Sequence, residues 1–234
     1  MNFRGKRVKW FFTSDTHMGH GNIIKYSNRP FWNEEEGKIF EQNGNSWNGV
    51  SHKISYESIA KMDSVLIDSI NRVVGEDDVL WHLGDFALPG KYDYFEKCQA
   101  YRDRIICKNV FMILGNHDQQ CIERLFSRTY GYISRDERVY STVIKEFNSY
   151  RIAMSHFAPA IWDKSHRGVM FLYGHSHSSA EEWLDKALPG RRAFDVGVDN
   201  AYKLLGEYRP FSLEEVVSIL KNRNGCEIDH HAHE

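Results

Sequence analysis

Short apolar runs stop abruptly in polar clusters along most of this chain, and their lengths set the expected elements. Residues 8–14 are dense in β-formers and read as the first strand. Residues 79–83, 110–114 and 169–173 are apolar runs too brief for helices, so they read as buried strands. Residues 140–147 and 150–155 form two strands joined tightly at Asn148 and Ser149, and 192–198 is a last strand. Helical patterns lie between them. Residues 56–74 carry Ile59, Met62, Leu66, Ile70 and Val73 on one stripe that Gly75 ends. Residues 22–27, 92–104 and 119–128 read as shorter helices. A capping box at Ser212 and Glu215 opens another, with Leu213, Val216, Val217 and Leu220 inward. Residues 33–53 break the rhythm. They are polar and turn-rich around two isolated aromatics, Trp32 and Trp47, and are expected to be a surface loop insertion. Two roles are open for it: a flap whose tryptophans stack on a nucleobase, or an insertion those tryptophans pin to the body.

The strand ends carry the chemistry. The first runs into Asp15-Thr16-His17 and then His20; in an extended segment Asp15 and His17 point to one side, where one metal ion takes both. Alone, a capped turn explains that triplet as well. The 79–83 strand ends at Gly84-Asp85, and parity puts Trp81, Leu83 and Asp85 on one face and His82 on the other, as a hydrogen-bonded core histidine. Residues 110–114 stop at Gly115, read as a sharp turn only glycine permits, followed by Asn116, His117 and Asp118. A strand followed by an Asx turn explains that stretch taken by itself. His156 ends the 150–155 strand, and Gly174-His175-Ser176-His177 ends the 169–173 strand, its i, i+2 spacing aiming both imidazoles at one centre. Strand ends of an α/β sheet gather along one edge, so five such ends together build a site.

Composition narrows the partners. A net charge of −2 gives no global basic field for nucleic acid or membrane. No apolar run approaches the roughly 18–20 residues of a membrane helix. The four cysteines are scattered without CxxC spacing, and nothing at Met1-Asn2-Phe3-Arg4 reads as a signal peptide, so a reduced, cytoplasmic protein is expected. No linker divides the polar strand ends, so 1–234 is expected to be one domain, with 226–234 a flexible tail whose His230, His231 and His233 have no role.

DxH, GD, GNHD, an isolated histidine and GHxH, in this order, closely resemble the calcineurin-like metallophosphoesterases over roughly residues 8–200, in particular their small stand-alone bacterial and phage members. The resemblance implies an α/β, four-layer αββα sandwich of two mixed sheets with helices outside. It implies two divalent metals, with Asp15, His17, Asp85 and His177 around one and Asp85, Asn116, His156 and His175 around the other. It makes His117 the catalytic acid, oriented by Asp118, and implies attack by a hydroxide shared between the metals. Two dications against the carboxylates of Asp15 and Asp85 leave positive charge suited to a phosphate, and the imidazole and carboxylate mix suits Mn, then Fe or Zn, better than Mg or Ca.

Many members follow GD with Asp-Arg, whose arginine grips phosphate; here Asp85 leads into Phe86-Ala87-Leu88-Pro89. Arg167 is the candidate substitute anchor, and His20 is a separate substrate-side candidate behind the ligands; Arg191 and Arg192 read as solvated, Asp195 and Asp199 as structural caps. The expected function is a phosphoesterase, diesters ahead of monoesters, acting on a small phosphorylated substrate, with nucleotides included. The alternative is an inactive scaffold of the same fold that binds a protein, but none of the seven candidate ligands is missing. An HD-type hydrolase is all-helical and is excluded by the β-type run before His117. A nucleic-acid enzyme needs a basic groove that the charge does not support.

Overall fold

The computed structural model describes residues 2, 3 and 6–225, so the expected tail at 226–234 and its histidines lie outside the described residues. One sheet has five strands. β1 (Trp10–Thr13), β2 (Val79–His82), β3 (Asn109–Ile113) and β4 (Arg128–Tyr130) run parallel in that order. Phe211–Ser212 joins the free side of β1 antiparallel. The second sheet has four strands. β5 (Val143–Phe147) and β6 (Tyr150–Met154) form a hairpin; β7 (Met170–Tyr173) and β8 (Ala193–Asp195) follow β6 in parallel.

The central strands of both sheets are covered on both faces, which is why β1, β2, β3 and β7 are largely apolar runs. Phe12, Trp81, Leu83 and Ile113 from one sheet pack against Ile152, Met154, Leu172 and Phe194 from the other. The alternate residues face outward. Phe11, Leu80, Val110 and Met112 meet α3 (Tyr56–Val73) and α4 (Tyr94–Asp103) through Ile67, Ile70, Tyr94 and Cys98. Ala153, Phe171 and Ala193 meet Leu184 of α5 (Glu181–Ala187). The result is the αββα sandwich with mixed sheets. No helix among the described residues is long and apolar enough to cross a membrane.

Three expected elements change. Residues 119–128 hold a 3₁₀ helix, Gln120–Leu125, and then enter β4 instead of continuing as one helix. The last strand stops at Asp195, because Val198–Leu205 winds into α6. The larger correction concerns 33–53, which is not a loop throughout. Glu34–Gln42 is α2, capped by Asn33, whose side chain accepts from Glu36 N while Glu36 accepts from Asn33 N. Trp47 is buried and, with Trp32 and Phe40, forms an aromatic cluster of tilted and edge-on rings under the insertion. The tryptophans therefore pin the segment. Arg191, expected in solvent, is also buried, paired with Glu181 and Asp185.

Glu36 ties both ends of the insertion together: buried, it accepts from Asn33 N, Ser55 N and the Ser58 hydroxyl. Burial raises its pKa, but the donors on Ser58, Ser55 and Asn33 outweigh burial and hold it below 4.5. Glu36→Ala is expected to destabilise the fold by about 2 kcal/mol or more, from the lost cap and the stranded donors. A depressed folded pKa gives stability that is full above 4.5 and lost as pH falls through the folded value. The gap between wild type and variant in urea unfolding should close on acidification. A gap that widens there would refute the assignment.

Candidate metal centre

The loops leaving the strands are zipped to one another before any side chain is considered. Asp15 N, His17 N and Met18 N donate to the carbonyls of Gly84, Asp85 and Phe86, and Gly174 N donates to His156 O. Within these loops Asp15 (φ 57°), His17 (48°), Asp85 (57°), His175 (69°) and His177 (48°) all hold left-handed backbone. Each such residue costs of order 1–3 kcal/mol, and such strain is retained where the surrounding structure fixes it. Asp15 and His17 converge, but not by strand parity as expected. Gly115 is needed for space and not for its φ: a Cβ there would collide with Asp85 Oδ1.

The side chains fall into two groups, each with ligand atoms within 4.8 Å of one another: Asp15, His17 and His177, and Asp85, His156 and His175. His175 and His177 thus part company, contrary to the single centre their spacing suggested. Asp85 lies between the groups, its Oδ2 3.5 Å from His17 Nε2 and 3.5 Å from His156 Nε2. Its Oδ1 accepts from His117 N at 2.8 Å. Asn116 Oδ1 is 2.9 Å from His156 Nε2, which puts the amide in the second group. These residues suit cations. Asp15 Oδ1 and both ring nitrogens of His17 are buried without a hydrogen-bond partner in the protein. Burial lifts the Asp15 carboxyl to about 7. For Asp85 burial pulls the same way, but the neighbouring His156 and His17 outweigh it and hold the group well below the carboxylate range. Burial holds His17 well below the ordinary imidazole value.

Neighbours orient the imidazoles. His156 Nδ1 donates to Leu83 O at 2.8 Å, turning Nε2 into the site. His177 Nδ1 donates to Asp199 Oδ2 at 2.6 Å. Asp199 in turn receives Nε and Nη2 of Arg29 (both 2.8 Å), and Arg29 also gives Nη1 and Nη2 to the carbonyls of Thr16 (2.9 Å) and Asp15 (2.7 Å). Arg29 is fully buried. The sequence reading passed over this guanidinium and took Asp199 for a cap. Asp195 does serve as a brace, accepting from Ser176 Oγ, Ser178 N and Gly197 N. His82 is the expected core histidine, its Nε2 2.9 Å from Thr16 Oγ1.

His17, His20, Tyr26, His117, His175 and His177 line a cleft of about 530 Å³ over the two groups. His20 is therefore where expected, its pKa lowered by burial to about 4. Two expectations fail. Arg167 lines a separate cavity with Arg151 and Arg192, before β7, whereas His175 and His177 follow β7. A four-residue strand is about 13 Å long, so Arg167 and the histidines sit at opposite edges of the sheet. Asp118 is not placed to orient the His117 ring; its carboxylate accepts from Gly115 N, Asp85 N and Phe86 N, which fixes the loop and the Asp85 backbone. Among the described residues no lysine or arginine lines the cleft.

Known proteins match over most of the chain's length. The chain is 26% identical over 215 residues to the uncharacterized protein MJ1445 of Methanocaldococcus jannaschii, covering 91% of this chain and 92% of that one. It is 23% identical over 214 residues to the gene 66 protein of Mycobacterium phage D29, covering 83% and 90%. In fold it matches the crystal structure of AQ665, a protein of unknown function from Aquifex aeolicus, at a TM-score of 0.60 and 18% identity, over 91% of this chain and all of that one. The sequence profile of the calcineurin-like phosphoesterases matches residues 9–233, a span holding every strand end that meets in the cleft, and on that match the chain belongs to the calcineurin-like phosphoesterase family and is a metal-dependent phosphoesterase.

Proposed function

We propose that the protein is a dinuclear phosphoesterase for small phosphorylated substrates, diesters ahead of monoesters. The observation that carries this reading is the position of Asp85 Oδ2, 3.5 Å from an imidazole of each group. In this reading Asp15, His17, Asp85 and His177 hold one divalent ion, and Asp85, Asn116, His156 and His175 hold the other, with Mn preferred and Fe or Zn next. Bound there, two divalent ions would supply charge neutralisation and an activated water nucleophile. Diesters are placed ahead of monoesters on charge: among the described residues no guanidinium or ammonium lines the cleft, which matches a monoanionic diester better than a dianionic monoester. The protein's own part is positional. The Arg29–Asp199 pair and the Leu83 carbonyl hold His177 and His156 at fixed angles, and His117, with its backbone bound to Asp85 Oδ1, presents its ring to the leaving group.

The test is hydrolysis of matched p-nitrophenyl diesters and monoesters by the Mn-loaded protein, with metal content measured in parallel. The dinuclear reading requires about two metals per chain at saturation, and a stoichiometry of about one or fewer would end it. His117→Gln is expected to slow esters of poor leaving groups by about 10²–10⁴-fold while barely touching a p-nitrophenyl ester, which needs no proton. Equal losses on both would instead make His117 a phosphate-binding group.

A further inference from the structure

The cleft over the Asp and His groups does not end at His20. Tyr26, the last residue of α1 (Gly21–Tyr26), lines that cleft and also lines a second one of about 590 Å³. Lys25, Asn28 and residues 46–51 form the rest of the second cleft. The Tyr26 ring meets His20 edge-on, with centroids 6.4 Å apart and planes at 72°, and is 73% exposed. Its position leaves an aromatic face open on the residue the two clefts share.

The far wall is preformed. Asn43 Nδ2 donates to Ser46 O at 2.7 Å and Asn48 O at 3.1 Å, and Ser46 Oγ accepts from Asn48 N at 3.1 Å. Trp47 anchors the turn from below, and Lys25 Nζ reaches over to His52 O at 2.8 Å. The surface so fixed is polar: side chains of Asn28, Ser46, Asn48 and Ser51 and the exposed backbone of Gly49. A pocket for an acyl chain or simple alkyl group would be mostly apolar. An open aromatic face beside ordered amides and hydroxyls instead suits a flat heterocycle joined to a hydroxylated sugar, since stacking tolerates any base.

We infer that the second cleft, with Tyr26 as the wall it shares with the Asp/His cleft, receives the nucleoside portion of a nucleotide phosphoester. This rests on the phosphoesterase reading for the position of the phosphorus. It also gives the insertion a part in selection that the buried tryptophans do not supply: the residues offered to substrate are the polar ones of the 46–51 turn.

Adenosine and thymidine 5′-(p-nitrophenyl phosphate) and methyl p-nitrophenyl phosphate share one leaving group, so the ratio of their kcat/KM values isolates the nucleoside. The metal-loaded full chain is expected to favour a nucleoside ester by about tenfold or more, and Tyr26→Ala to collapse the ratio towards one while Tyr26→Phe keeps it. Equal kcat/KM values in the wild type, or a ratio that survives Tyr26→Ala, would overturn the subsite. Calorimetric binding of adenosine and thymidine 5′-monophosphates against methyl phosphate repeats the comparison without turnover. Tight nucleotide binding that depends on Tyr26, with no hydrolysis of any ester, would keep the subsite and sink the hydrolase reading. Hydrolysis of all esters without preference would do the reverse.

Discussion

Arg29→Met is expected to destabilise the metal-free protein by about 3–5 kcal/mol, because it removes one partner of a buried ion pair and leaves the other behind. For a chain of this size that corresponds to a fall in Tm of roughly 6–20 °C. The size of the effect follows from what Arg29 holds. Its guanidinium satisfies both oxygens of the largely buried Asp199 and the carbonyls of Asp15 and Thr16, which are fully buried. Burial would raise the Asp199 pKa, but the charge of Arg29 and the bond from His177 outweigh it and hold it well below the carboxylate range. Methionine fills much of the volume and offers no donor, so the Asp199 charge is stranded. Adding Asp199→Asn should then recover part of the loss, since it neutralises that charge. A double variant as unstable as the sum of the two singles would show that the pair is not coupled. The metal readout separates local from global damage. Arg29 braces Asp15, Thr16 and, through Asp199, His177, so the Asp15/His17/His177 group should lose affinity for Mn²⁺ more than the Asp85/His156/His175 group.

Why Arg29 escaped the sequence reading, while Asp85 did not, is a matter of range. Asp85, His117 and the GHSH histidines follow apolar runs directly, so local sequence places them at strand ends, and strand ends converge by topology. A buried arginine declares itself only through carbonyls and a carboxylate that the fold brings from elsewhere; nothing within a few residues of Arg29 supplies them. The backbone of the candidate ligands was equally hidden. Left-handed φ values at Asp15 and Asp85 are imposed by the zipping of 15–18 onto 84–87, a pairing between segments about seventy residues apart. Two other errors were avoidable from the chain alone. Asn33 followed by Glu36 is a capping box of the kind recognised at Ser212, but α2 offers only Ile39 and Phe40 as apolar residues, so periodicity outweighed the cap. Arg167 stands in for the arginine missing after Asp85 only if it reaches the site, and the strand between it and His175 carries the two to opposite edges.

Asp85→Asn is expected to abolish turnover, lowering kcat/KM by about 10³-fold or more, a loss of ~4 kcal/mol of transition-state stabilisation. Asp85 is one of the two carboxylates of the cluster, so the substitution halves its negative charge. It also occupies the position both groups share: Oδ2 stands 3.5 Å from His17 Nε2 and from His156 Nε2, while Oδ1 is held by His117 N. An asparagine can keep the bond from His117 N through its oxygen, but it then turns an NH₂ towards two imidazole nitrogens and any cation between them. Both metal-binding steps should therefore weaken together in a calorimetric titration with Mn²⁺. Asp15→Asn gives the contrast. Asp15 Oδ2 accepts from His175 N, and its unpaired Oδ1 faces only the group of His17 and His177. Its loss should weaken one step and leave the other close to wild type. Far-ultraviolet circular dichroism on the metal-free variants checks that the loops still fold, and chelation of the wild type should reproduce the inactivity of Asp85→Asn. If Asp85→Asn weakens one binding step only, or if Asp15→Asn weakens both to the same degree, Asp85 is not the shared ligand and the two groups act as separate sites.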